Sequence, residues 1–180
     1  MKARPWDLVV TRWGARYRGH LFVCAVGRGG IGEKRGEGDG ITPAGRWRIA
    51  GFAYRADRAR SPLSTLPHWP SGPRDIWSDD PRDPGYNNRA STRDHPFSHE
   101  RLFRPDPLYD LVAVLDFNWP EAVPGAGSAI FLHVWRKPRH PTEGCIAFAA
   151  PVLRFILESW NPAARVVIAQ PGGRPALRRR

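Results

Sequence analysis

SAIFLHVWRKPRHPTEGCIAF, residues 128–148, decides the fold and points to the chemistry. The apolar run Ala129-Ile130-Phe131-Leu132 ends on His133. A basic, proline-broken loop follows, carrying Arg136, Lys137, Arg139 and His140. It closes on Thr142-Glu143-Gly144-Cys145, and Cys145 leads into a second apolar patch. A strand that delivers a histidine and a loop that delivers a cysteine give a thiol nucleophile its base. A free thiol, with a pKa of about 8.5, is mostly protonated at neutral pH. The imidazole can take the proton, and basic neighbours favour thiolate. Gly144 allows the tight turn that lets amides near Cys145 face an oxyanion. From the residues alone, the pair reads equally as two core side chains.

Working outward, Leu108–Asn118 (LYDLVAVLDFN) is an apolar, β-branched strand, and Ala129–Val134 is its antiparallel partner after the turn at Pro124–Gly127. Pro151–Trp160 reads as a helix: proline suits its first turn, Val152, Ile156 and Trp160 share a face flanked by Leu153 and Leu157, and Pro162 ends it. Arg165–Ala169 is a last strand. Towards the N-terminus, Asp7–Thr11 and Leu21–Val26 read as strands around a turn at Trp13-Gly14-Ala15, the second buried on both faces. Trp47–Phe52 is another strand. The count is roughly six strands to one helix, a mostly-β domain. One domain over residues 1–170 with a basic disordered tail at 171–180 is expected.

Gly27, Gly29 and Gly32 match a dinucleotide fingerprint on paper. Further glycines at 36, 38 and 40 leave no helix to face a pyrophosphate, so this is a long turn. Residues 55–107 carry nine prolines and little regular structure. So long a connection suggests a cover over a cleft, or a solvent-facing excursion pinned by Trp69 and Trp77. His95 and His99 have the spacing of a metal pair, but Pro96 intervenes and no third ligand joins them, so no metal and no cofactor are expected.

The net charge of +11 suits anionic partners such as nucleic acid, lipid or acidic wall polymers, or simply a solvated Arg-rich surface. Cys24 lies inside LFVCAV and reads as a small apolar core residue. No run approaches a membrane span, and no signal peptide is visible.

The segment resembles the signature of the L,D-transpeptidase catalytic domain, the YkuD-type family, in which a strand ends in His and Ser/Thr-x-Gly-Cys-aliphatic follows after a loop. Gly38-Asp39-Gly40-Ile41-Thr42-Pro43-Ala44-Gly45 resembles the family's Gly-x-Gly-x-Thr-Pro-x-Gly turn. Tyr109–Val112 through Asn118, and Trp77-Ser78-Asp79-Asp80-Pro81 with Tyr86-Asn87, resemble a small single-domain branch. The resemblance runs from about Leu21 to Ile168. It implies a β-sandwich-like fold, with Cys145 as nucleophile, His133 as base, and amides around Gly144 and Cys145 as the oxyanion hole. The substrates it implies are peptidoglycan stem peptides. It further suggests Thr142, Glu143, Arg136, Arg139, His140, Trp77, Asp79, Tyr86, Asn87 and Asn118 as substrate-binding residues, and an extracytoplasmic location. Nucleic acid is then not the expected partner, and the oligomeric state is left open. The sequence departs from the family at Val134, where Gly is usual, at Glu143, where a second His is usual, and at Ala147, where Arg is usual. Hydrolysis of the thioester by water, or a basic wall- or nucleic-acid-binding module without activity, are the rival readings.

Overall fold

A computed structural model describes residues 3–170; the basic tail expected at 171–180 lies outside the described residues. The strands in chain order are β1 (Leu8–Thr11), β2 (Gly14–Tyr17), β3 (His20–Phe22), β4 (Ile31–Gly32), β5 (Thr42–Pro43), β6 (Gly45–Trp47), β7 (Ile49–Tyr54), β8 (His68–Pro70), β9 (Asp75–Ser78), β10 (Arg89–Ser91), β11 (His99–Arg101), β12 (Leu111–Leu115), β13 (Phe131–Val134), β14 (Ile146–Phe148) and β15 (Val166–Ile168). One helix, α1 (Ala150–Glu158), follows β14. The protein is mostly β, as the pattern of short apolar runs implied, and sandwich-like, as the family resemblance implied.

Two five-stranded sheets dominate, in the orders β3-β2-β1-β15-β6 and β14-β13-β12-β7-β8. Between them lies the main core, where Leu8, Val10 and Tyr17 of the first sheet meet Phe52, Ala113 and Leu132 of the second, with Leu153, Ile156 and Leu157 of α1. Alternation along β12 explains its unbroken apolar sequence. Leu111, Ala113 and Leu115 enter this core, while Val112 and Val114 enter a second one on the opposite face with Trp77, Leu102, Tyr109 and Phe131. A strand covered on both sides has no polar face to show.

The second core is roofed by a three-stranded sheet, β10-β9-β11, built from the proline-rich excursion. The expectation of little regular structure in 55–107 is therefore corrected. Its strands are three or four residues long, too short to show a period between prolines. Leu21–Val26 is corrected too: Leu21 is 82% exposed and Val23 is exposed as well, while Cys24 and Ala25 are buried and Phe22 and Val26 pack half-buried against the main core. Gly14-Ala15 belong to β2 rather than to a turn. Trp47–Phe52 is two strands in different sheets, broken at Arg48. Leu108-Tyr109 form a short 3-10 turn, capped by the Asp106 carboxylate, before β12 begins. The helix and the antiparallel β12–β13 pair stand where expected.

Candidate active site

Strands β13 and β14 run parallel, with Leu132 opposite Ile146 and His133 opposite Ala147. Side chains alternate across a strand. Leu132, Ile146 and Phe148 therefore enter the main core, and His133, Ala147 and Cys145 face the other side. Cys145 is two residues upstream of Ala147 on the strand next to His133. From strand spacing and rise, the two backbones stand about 8 Å apart on one diagonal, within reach of two side chains. His133 and Cys145 both line a cavity of about 470 Å³, whose mouth lies between the sheet and the excursion.

The imidazole is buried, and its Nδ1 lies 2.8 Å from the Val134 carbonyl. A carbonyl only accepts, so Nδ1 carries the proton and Nε2 keeps its lone pair. Burial lowers the His133 pKa to about 4, and the ring is neutral at neutral pH. Tyr109 packs edge-on against it, centroids 5.4 Å apart. Burial pushes the Cys145 thiol up to about 12. The thiol donates to the Ala129 carbonyl at 3.1 Å, and the Phe131 amide donates to the sulfur at 3.4 Å. The expected thiolate-favouring neighbourhood is thus corrected. The resting groups are a neutral thiol and a neutral imidazole, because burial outweighs the Lys34 charge and the Phe131 amide.

The loop before Cys145 is clipped by Thr142, whose hydroxyl donates to the Cys145 carbonyl at 2.6 Å and accepts from the Gly144 amide at 3.2 Å. Gly144 adopts φ +139°, and a Cβ there would stand 3.0 Å from the Ile41 carbonyl. The glycine-rich turn packs directly behind this loop. Gly27 donates to Thr42 Oγ1, Arg28 to the Thr142 carbonyl, and Thr142 to the Val26 carbonyl. A Cβ on Gly27 would overlap the Gly40 carbonyl at 2.0 Å. The glycines are thus required by backbone meeting backbone, not by a phosphate. Asp39 ties the turn together, accepting from the Arg35 and Ile41 amides and pairing with Lys34 at 2.5 Å.

Of the residues singled out in the sequence, Asp79, Arg136, His140, Thr142, Glu143 and Cys145 meet at the cavity with His133. Glu143 sits at its rim, 73% exposed, paired with Arg28 at 2.7 Å. Gly144 is buried one residue away. Arg139 is exposed and outside the cavity. Trp77, Tyr86, Asn87 and Asn118 do not line it either; they stand behind its wall. Trp77 Nε1 donates to Asn87 Oδ1 at 2.9 Å, and the same oxygen accepts from the Ala129 amide at 3.0 Å. Asn87 Nδ2 donates to the carbonyls of Phe117 and Asn118. Asn118 closes its own loop through Val123 and Gly127. Tyr86 donates to Glu37 and accepts from the Gly127 amide. Of these, Asn87 reaches the site at Ala129, whose carbonyl holds the thiol, and Tyr86 reaches the cavity wall at Glu37.

Sequence reasoning missed Lys34, Glu37, Glu100, Arg104 and Tyr109, all of which line the cavity. His95 pairs with Asp83 at 2.7 Å, and among the described residues no group of three or more side chains is placed to hold a metal ion. Both cysteines are free thiols, and burial raises Cys24 to about 12.

A family model described as the L,D-transpeptidase catalytic domain matches residues 8–168. No curated protein and no solved structure matches the chain.

Proposed function

The chain belongs to the L,D-transpeptidase catalytic-domain family, and on that premise we propose that it is a cysteine acyltransferase acting on peptidoglycan stem peptides. The observation that carries this reading is the placement of Cys145, immediately before β14, and His133, on the neighbouring β13, facing one cavity, with the His133 proton held on Nδ1. In the proposed first step, Nε2 of His133 takes the thiol proton as Cys145 Sγ attacks a stem-peptide carbonyl. The S–C bond forms, the terminal D-alanine leaves as its amine, and His133 gives that amine the proton. No ion pair need exist beforehand, since two neutral groups are a competent thiol and base.

The Gly144 amide is turned towards Thr142 Oγ1, so the Cys145 amide is the first donor we assign to the oxyanion. Ala147 lies opposite His133, where the usual family Arg is absent, and we assign the substrate carboxylate to Arg136, the guanidinium exposed at the cavity's rim. An amine acceptor then gives a cross-link, and water gives a shortened peptide.

Members of this family act on peptidoglycan and are typically extracytoplasmic, and we extend that location to this protein. No helix among the described residues is long and apolar enough to cross a membrane.

The test is incubation with a tetrapeptide stem that ends in D-alanine and carries a diamino acid in third position. Release of D-alanine with formation of a cross-linked dimer, both lost in Cys145→Ser, is expected. Intact mass should also show a carbapenem adduct on the wild type that Cys145→Ser lacks. Turnover unaffected by Cys145→Ser sinks the reading.

A further inference from the structure

The excursion does more than roof the second core. In the β9–β11 pair Glu100 lies opposite Trp77, and Leu102 donates its amide to Asp75. Trp77 and Leu102 point inward, buried against Val112, Val114 and Phe131. By the two-residue alternation Glu100 and Asp79 share that inward face. Both line the cavity that holds Cys145 and His133.

A carboxylate in this layer is expensive unless it meets a partner. Asp79 Oδ1 is inaccessible and has no hydrogen-bond partner. Glu100 stands 3.7 Å from Arg104. That guanidinium is already held by two hydrogen bonds to Asp106, at 3.0 and 2.7 Å. A second cation of the wall, Lys34, is likewise paired with Asp39 at 2.5 Å, while Arg136 stands exposed at the rim. The two cations set deeper in the wall therefore each have their own carboxylate. Asp79 and Glu100 are left as surplus negative charge beside the nucleophile, in a chain whose net charge is +11.

We propose that Glu100 and Asp79 receive the primary ammonium of the acyl acceptor and present it to the thioester on Cys145, an inference that rests on the acyl-transfer reading above. A carboxylate pair takes an ammonium through charge-assisted hydrogen bonds. The ammonium must lose a proton before it attacks. One proton passes to Glu100, and the freed nitrogen forms its bond to the thioester carbon as the C–S bond breaks. The nitrogen's second proton passes to His133 and from there to the departing Cys145 sulfur, and Glu100 returns its proton to solvent. Burial raises the Glu100 carboxyl, with Asp79 adding to the effect while Arg104, Tyr109 and His99 oppose it. A raised carboxyl is a better proton acceptor.

The test uses the full chain and the tetrapeptide as both donor and acceptor. Total D-alanine release reports thioester formation. The ratio of cross-linked dimer to hydrolysed tripeptide reports the acceptor. Glu100→Gln should lower that ratio about tenfold or more, the worth of one charge-assisted contact, while total D-alanine release stays within about threefold. Asp79→Asn should shift the ratio in the same direction. Circular dichroism and a thermal melt matching the wild type show that both variants are folded. An unchanged ratio overturns the inference. So does a fall in D-alanine release at constant ratio, which would put the ammonium on the donor. Wild-type protein that releases no D-alanine refutes the acyl-transfer reading itself, and the inference with it.

Discussion

The Cys145 thiol donates to the carbonyl of Ala129 at 3.1 Å, and the Ala129 amide donates in turn to Asn87 Oδ1 at 3.0 Å. Ala129 and Asn87 both adopt left-handed backbone, φ +51° and +54°. The resting position of the Cys145 thiol is thus set by a side chain 58 residues earlier in the chain, Asn87.

Asn87→Ala leaves the Trp77 indole and the Ala129 amide without their acceptor in a buried wall. A stability loss of about 2–3 kcal/mol is expected from orphaned buried donors, together with slower acylation by a carbapenem. Urea unfolding and intact-mass kinetics check both. A variant as stable and as fast as wild type contradicts the support role.

Alkylation of Cys145 should follow a half-buried thiol whose proton is held tightly. With its pKa pushed up to about 12, the iodoacetamide rate should keep climbing above pH 9 in a protein whose Cys24 is replaced by Ala. A plateau reached below pH 7 would reveal a preformed thiolate–imidazolium pair and contradict the neutral resting state.

His133 sets an acid limit. Its pKa is lowered to about 4 in the fold against about 6.5 in the unfolded chain. The unfolded state therefore binds the proton first, and the fold loses stability as pH falls from about 6.5 towards 4, by roughly 3 kcal/mol at most. Above that window this residue makes no difference. His133→Gln should flatten the dependence there in equilibrium unfolding; an unchanged slope would contradict the burial argument.

Gly144→Ala should be severe. The conformation is glycine's, and the added Cβ meets the Ile41 carbonyl at 3.0 Å. We expect about 2 kcal/mol or more of lost stability and loss of acylation, because the strain falls on the turn that carries Cys145. Glu143→Ala, by contrast, breaks only an exposed pair with Arg28 and should cost under about 1 kcal/mol. Thermal melts of the two variants side by side give the comparison, and equal losses would contradict it.

The helix, the β12–β13 pair and the strand–loop–strand unit around Cys145 were legible because each carries its own local signal: a 3.6-residue period, an unbroken apolar run, a histidine where a strand ends. Trp77, Tyr86, Asn87 and Asn118 stood out only through the family resemblance, and nothing local says whether such a residue touches substrate or braces the wall. That depends on which carbonyl its side chain reaches, and Asn87 reaches Phe117 and Asn118. Glu100 was missed because β11 is three residues long, too short for an inward position to declare itself. Leu21 misled because apolar residues on an edge strand look the same as buried ones.

The proline-rich excursion resembles a dispensable insertion in the primary sequence, yet it supplies Trp77 and Leu102 to one side of the central sheet and Asp79 and Glu100 to the reaction chamber. Excising it would strip β12 of one of its two coverings and expose Val112, Val114 and Phe131 to water. A minimal version of this protein must therefore keep the detour, and useful shortening is confined to its outer rim, around the exposed Leu63.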